Sequence, residues 1–262
     1  MPEQWLAEHC GGRSFLTPSC TASLELSCRL VLSPGDEVIV PSFSFPSCSN
    51  AVILAGGVPV YVDIDPQTLS LSDFSKSITP RTKAVMPLHY AGVSCDEVLE
   101  LARPHGLWVI EDAAQCIGNW KLSGDLGCIS FHSTKNVECG EGGALVVSPR
   151  LVEEAELMID CGTTKAKYRR GESDGYDWLG VGTSCLLSPY LRERLMEQFL
   201  RVQEITDRRV RAWRVYNKLI NAFKASKEGN GHIFWFLTRK QREVIEKLRK
   251  VGVKAEIGRA HV

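Results

Sequence analysis

Short apolar runs recurring between residues 37 and 147 constrain this chain more than any other feature. EVIVP (37–41), VPVYVD (58–63), KAVMPLH (83–89), LWVIED (107–112), CISFH (128–132) and GALVV (143–147) each have strand length, and helical patterns separate most of them. A strand that is apolar on both faces must be covered on both faces. Alternating strands and helices achieve that through a mostly parallel sheet with helices on each side. The intervening stretches CTASLELSCRLVL, NAVILAGG and CDEVLELARPHG carry Ser, Asn or Asp at or near their start, and several close on glycine, as capped helices do. The fold class expected is therefore α/β. In open parallel sheets ligands bind beyond the C-terminal strand ends, so polar residues there are the first candidates for chemistry.

Composition narrows the function. At 262 residues and 44% hydrophobic, the chain can bury both faces of such a sheet. Lys plus Arg equals Asp plus Glu at 31 each, so net charge gives no reason to expect nucleic acid or an anionic membrane as a partner. Ten cysteines are scattered with no Cys-x-x-Cys pair and no histidine spacing suited to zinc. They read as reduced thiols of a cytoplasmic protein, with no metal expected. No uninterrupted apolar run of about 18 residues is present, and MPEQWLAEHCGG lacks a charged-then-apolar leader pattern.

Residues 1–189 read as one large domain. Beyond GVGTSCLLSP, residues 190–225 form an arginine-rich pattern free of Pro and Gly, with Leu191, Leu195, Phe199, Val202 and Ile205 at helical spacing, and predict a connector helix. Residues 226–255 predict part of a small C-terminal α/β domain, with GNGHIFWFLT as a strand and RKQREVIEKLRKVG as an amphipathic helix. The final EIGRAHV (256–262) can be back-translated into the start of a sequencing-library adapter and reads as non-native, with the natural chain expected to continue past Ala255.

Several strand ends carry candidate chemistry. Asp112 closes LWVIED, where a carboxylate can cap the next helix or serve a ligand. TPSCTASLE sets Ser19, Thr21 and Ala22 at a helix start, whose free N–H groups and dipole suit a phosphate. Phe45 follows EVIVP, and Lys135 sits between a strand end and Gly140, Gly142 and Gly143. Taken singly, Phe45 reads as core and Lys135 as a solvated loop charge.

As a set, TPSCTASLE, PGDEVIVPSFSFPSCSNAV, VDIDPQTLSL, HYAG, VIEDAAQ and SFHSTKNVECGEGGALVV resemble the DegT/DnrJ/EryC1/StrS sugar aminotransferases. The resemblance runs in order from about residue 5 to 200 and resumes at HIFWF. It implies the type I fold of pyridoxal-phosphate (PLP) enzymes. It also implies Lys135 as the covalent cofactor anchor, Asp112 at the pyridine nitrogen and Phe45 on the ring face. Thr21, Ala22 and Ser130 become phosphate contacts, and Gln115 a neighbour of the ring hydroxyl. A carboxylate at the ring nitrogen keeps it protonated and the ring electron-withdrawing, and an adjacent lysine amine can move protons.

The implied reaction moves an amino group from an amino acid, glutamate in the resembled enzymes, to a nucleotide-linked 4-keto-6-deoxy sugar, in a homodimer. Lys135 argues against the histidine-bearing dehydratase branch of the family. Relative to the family pattern, the connection between NWK and SGDLG is short, the segment before WLAEHCGG is missing, and the stretch before HIFWF is compressed. The alternative is therefore a shortened homologue that folds, binds PLP or dimerises without turnover. A nicotinamide-dependent Rossmann enzyme is disfavoured, because no G-x-G-x-x-G follows the first strand. His89 and His132 stay outside the catalytic set, a structural role for His89 being at least as well supported.

Overall fold

The computed structural model describes residues 1–258. The proposed adapter segment therefore lies mostly outside the described residues. Helix α1 (Pro2–Cys10) precedes β1 (Arg13–Thr17), α2 (Cys20–Val31), β2 (Glu37–Pro41), α3 (Pro46–Leu54), β3 (Val58–Val62) and β4 (Thr82–Val85). Then come α4 (Glu97–Ala102), β5 (Trp108–Asp112), β6 (Leu126–Ser130), β7 (Gly143–Val147), α5 (Val152–Ile159) and α6 (Lys165–Arg169). The chain goes on through α7 (Pro189–Phe199), α8 (Val202–Leu219) and α9 (Gln241–Lys250).

All seven strands join one sheet in the order β1-β7-β6-β5-β4-β2-β3. β3, β2, β4, β5 and β6 pair in parallel, whereas β7 is antiparallel to both β6 and β1. The six expected strands are present, and the sheet is mostly parallel as the alternation requires. β1 was not anticipated. Its RSFLT is short and follows a glycine pair, so nothing in its own pattern separates it from a loop. It becomes a strand by pairing along its whole length with β7, from Arg13 opposite Val147 to Thr17 opposite Gly143.

Alternation along the strands supplies two cores. Val38, Val40, Ile110, Leu145 and Val147 pack with Leu24 and Leu26 of α2 on one face. On the other face Ala144, Val146 and Ile129 meet Leu6 of α1 and Leu195 and Phe199 of α7, while Ile39, Val85 and Val109 meet Phe74 and Leu99. Burying one such aliphatic side chain is worth about 1.5–3 kcal/mol, so neither face could be left open to water. Nine of the ten cysteines are buried and all are free thiols; only Cys161 is exposed.

Two expectations fail. The connector is two helices, α7 and α8, because the chain tightens between them: the Arg201 N–H bonds the Gln198 carbonyl at 3.0 Å. α7 buries Leu195 and Phe199, and beyond that three-residue turn α8 buries Trp213. No Pro or Gly marks it, so helical periodicity alone runs straight through. GNGHIFWFLT is not a strand. A strand needs a neighbouring ladder, and this segment has only an isolated bridge, Lys224 opposite Phe236, flanked by the Ala225 N–H to Trp235 and Leu237 N–H to Phe223 hydrogen bonds.

Candidate active site

Because β7 alone runs backwards, the C-terminal ends of β1, β2, β5 and β6 and the start of β7 lie on one edge of the sheet. Thr17, Pro41, Asp112, Ser130 and Gly143 occupy those ends, and the loops leaving them carry the remaining candidates.

Asp112 is buried at 3% exposure. Its Oδ1 accepts the Ala114 N–H at 3.0 Å and its Oδ2 accepts the Cys48 thiol at 3.1 Å. β6, not a helix, follows β5, so Asp112 does not cap one as its strand-end position suggested; one oxygen instead fixes the turn after the strand. Burial, and then the Asp112 charge, push the Cys48 thiol well above its ordinary pKa, so Sγ keeps its proton and donates it. Nothing local singles out Cys48 in the sequence; it reads as one more apolar residue of α3.

Ser19 caps α2, and its hydroxyl accepts the Ala22 N–H at 3.1 Å. Ala22 therefore has no N–H to offer a phosphate. At this helix start, the N–H groups of Cys20 and Thr21, the first two residues of α2, have no partner among the described residues. The Thr21 hydroxyl meets Ser47 Oγ at 2.9 Å. Gly143 faces this helix start so closely that a Cβ would stand 2.4 Å from the Ser19 carbonyl carbon and 2.5 Å from Cys20 N.

Lys135 is half-buried on the loop between β6 and β7. Loop hydrogen bonds fix it: Lys135 N–H to the His132 carbonyl at 2.9 Å, Ser133 N–H to Gly140 at 2.9 Å and Phe131 N–H to Gly142 at 2.8 Å. Gly140 takes φ +91°, which its lack of a side chain permits. Ser130 Oγ accepts the His132 N–H at 3.4 Å. Gln115 Oε1 accepts the Ala91 N–H at 2.7 Å, tying the HYAG loop to the turn after Asp112. Phe45 is not core. It precedes α3 and is 68% exposed, an aromatic face at the same edge with nothing packed over it.

His132 is partly exposed, 3.4 Å from Glu141. His89 is structural. It is fully buried, its Nδ1 accepts the Cys95 N–H at 3.0 Å, and its Nε2 lies 2.7 Å from Glu111 Oε2. That tautomer makes Nε2 the donor. Glu111 also accepts Trp120 Nε1–H at 2.8 Å, Ser123 N–H at 2.9 Å and Gly124 N–H at 2.5 Å, so every lone pair of a 1%-exposed carboxylate is used. A Glu111→Gln variant turns an NH₂ toward two of these donors, since each oxygen accepts two. It is expected to lose about 3 kcal/mol of stability in denaturant titration, and no loss would contradict the hub assigned here.

Sequence reading also missed Asn136, Asn230 and His232. Asn136 Nδ2 donates to the Asn230 carbonyl at 3.0 Å, and its Oδ1 lies 2.9 Å from His232 Nδ1. Burial, followed by the charges of Lys135 and Arg209, pushes His232 down to about 3.

The donor set fits PLP: two free helix-start N–H groups with hydroxyls beside them for a phosphate, a buried carboxylate for a ring nitrogen, an open aromatic face and a half-buried lysine. No helix among the described residues is long and apolar enough to cross a membrane. No group of three or more His, Cys, Asp or Glu among them is arranged to hold a metal ion.

The chain is similar in sequence and fold to known proteins. The spore coat polysaccharide biosynthesis protein SpsC of Bacillus subtilis is 35% identical over 227 residues, covering 78% of this chain and 58% of that protein. GDP-perosamine synthase of Caulobacter vibrioides is 41% identical over 158 residues, 56% of this chain and 43% of the synthase. The chain thus spans about half the length of these relatives. In fold it matches the PLP-form of the putative sugar aminotransferase Spr1654 from Streptococcus pneumoniae with a TM-score of 0.84 at 22% identity, covering 99% of this chain and 76% of that one. A profile of the DegT/DnrJ/EryC1/StrS aminotransferase family matches residues 3–258, and with the strand-edge constellation in place the chain belongs to that family.

Proposed function

We propose that this chain carries the cofactor site of a PLP-dependent aminotransferase that moves an amino group from an amino acid, with glutamate as the donor, to a nucleotide-linked 4-keto-6-deoxy sugar used in surface polysaccharides. The observation that carries this reading is the convergence of buried Asp112, half-buried Lys135 and the free N–H groups of Cys20 and Thr21 on one sheet edge.

Bound PLP supplies an electron-withdrawing ring that makes an amino-acid Cα proton acidic. The protein does the rest. Asp112, aimed by the Ala114 N–H and the Cys48 thiol, holds a proton on the ring nitrogen. Cys20, Thr21 and Ser130 would grip the phosphate, the N–H of Ala22, itself expected as a contact, being given to Ser19 Oγ. Ala22 remains as the small residue that lets the phosphate approach. Phe45 would cover one ring face, Gln115 would flank the ring hydroxyl, and the Lys135 amine would hold the cofactor covalently and serve as the base at the donor Cα.

We assign the protein to the cytoplasm, in keeping with ten free cysteines. We also assign a homodimer, which Trp178, Leu179 and Val181 on the stretch before α7 and Tyr190 in its first turn support, since all four stand 64–87% exposed. Sedimentation of the full chain as a monomer would remove the dimer. Residues 226–255 then belong to a smaller domain beside the site.

The test incubates the chain, PLP and glutamate with a panel of nucleotide-linked 4-keto-6-deoxy sugars and looks for the amino sugar by mass. Product that requires Lys135 supports the reading. PLP bound at Lys135 with no product from any sugar selects the alternative, a homologue that binds without turnover.

A further inference from the structure

The segment GNGH (229–232) lies far from the sheet in sequence, yet it is clamped to the loops that carry the cofactor residues. Asn230 is fully buried. Its Nδ2 donates to the carbonyls of Gln115 at 2.8 Å and Ile117 at 3.0 Å, its Oδ1 accepts the His232 N–H at 3.1 Å, and its carbonyl accepts Asn136 Nδ2. Every polar atom of that side chain is used. The flanking glycines allow the approach: a Cβ on Gly229 would stand 2.4 Å from the Ala91 carbonyl, and one on Gly231, at φ +69°, 2.5 Å from the Arg209 carbonyl carbon. Gly92 is equally confined, with Asn230 Oδ1 at 2.3 Å from a Cβ built there. One asparagine thus joins the HYAG loop, the turn after Asp112 and the lysine loop.

The orientation of Asn136 follows. With its Nδ2 given to the Asn230 carbonyl, its Oδ1 faces His232, so the imidazole must carry its proton on Nδ1. His232 Nε2 then keeps a lone pair, and it makes no hydrogen bond among the described residues. The imidazole stays neutral because burial and the nearby cations Lys135 and Arg209 oppose its charging. A cation there would repel the Lys135 ammonium. A neutral ring fills the space without doing so.

We infer that Asn230 and His232 are positioning residues for Lys135: by gripping both ends of the Asn136 amide they hold the next residue back along the chain, Lys135, at the strand edge. The inference rests on the aminotransferase reading for its purpose, but not for its geometry. It gives the stretch that failed to form a strand a role, as a strap that couples the segment after α8 to the lysine.

The experiment reads Lys135 without cofactor and then with it. In the unloaded full chain, each lysine is labelled by limiting acetic anhydride and quantified by mass spectrometry. His232→Ala is expected to speed labelling of Lys135, relative to the other lysines, by about two- to tenfold, the range one net hydrogen bond carries. His232→Gln keeps a donor for Asn136 and should stay close to the parent. With limiting PLP and borohydride, His232→Ala should lower the amount fixed on Lys135 by a similar factor. Asn230→Asp should act in the same direction. If thermal unfolding shows that it does not fold, the two His232 variants decide.

Unchanged Lys135 labelling in folded His232→Ala, an equal change at all lysines, or a His232→Gln variant as impaired as His232→Ala would each overturn the inference. A parent chain that labels as expected but fixes no PLP would instead count against the aminotransferase reading and leave the positioning result standing.

Discussion

Asp112→Asn is expected to reduce amino transfer by about 10²–10³-fold, the effect of removing one preorganised electrostatic contact at a reacting centre. The substitution preserves shape. It leaves one oxygen for two donors, the Ala114 N–H and the Cys48 thiol, and offers an NH₂ where a carboxylate should meet the ring nitrogen. Single-turnover rates with glutamate, compared at equal cofactor loading, separate this from weaker binding. A variant within threefold of the parent would mean that Asp112 only caps the turn after β5.

The second large effect falls on the phosphate side. Gly143→Ala must push β7 away from the start of α2, because the new Cβ would lie within 2.6 Å of three backbone atoms of Ser19 and Cys20. Neither neighbour is a flexible side chain. Overpacking of this kind costs about 1–3 kcal/mol, and here it also spreads the free N–H groups of Cys20 and Thr21 from Ser130. Denaturant titration of the unloaded chain should show the stability loss, and PLP titration should show weaker binding. Binding unchanged alongside a clear loss of stability would mean that the phosphate does not sit between α2 and β7.

What the sequence made legible follows from how local each signal is. Strand alternation, the Ser19 cap and the Asp112 strand end are local patterns, and each stands where its pattern placed it. Phe45 was read singly as core and is exposed, because an aromatic's burial depends on what lies over it rather than on its own run. The strap residues Asn230 and His232 act on partners about 95 to 115 positions away, a separation that no periodicity reports. Their one local trace was the pair of glycines around Asn230, which mark close chain approach but not its target. β1 and the break between α7 and α8 were hidden for a related reason: the first exists only through β7, and the second is made by a single tightened turn.

Peptide mapping decides whether Lys135 is the covalent anchor of PLP. The full chain is mixed with PLP, reduced with borohydride, digested and analysed by mass spectrometry, with Lys135→Ala treated in parallel. One dominant modified peptide, containing Lys135, is expected, and none of comparable yield in the variant. Label spread evenly over surface lysines, or retained in full by Lys135→Ala, would contradict it.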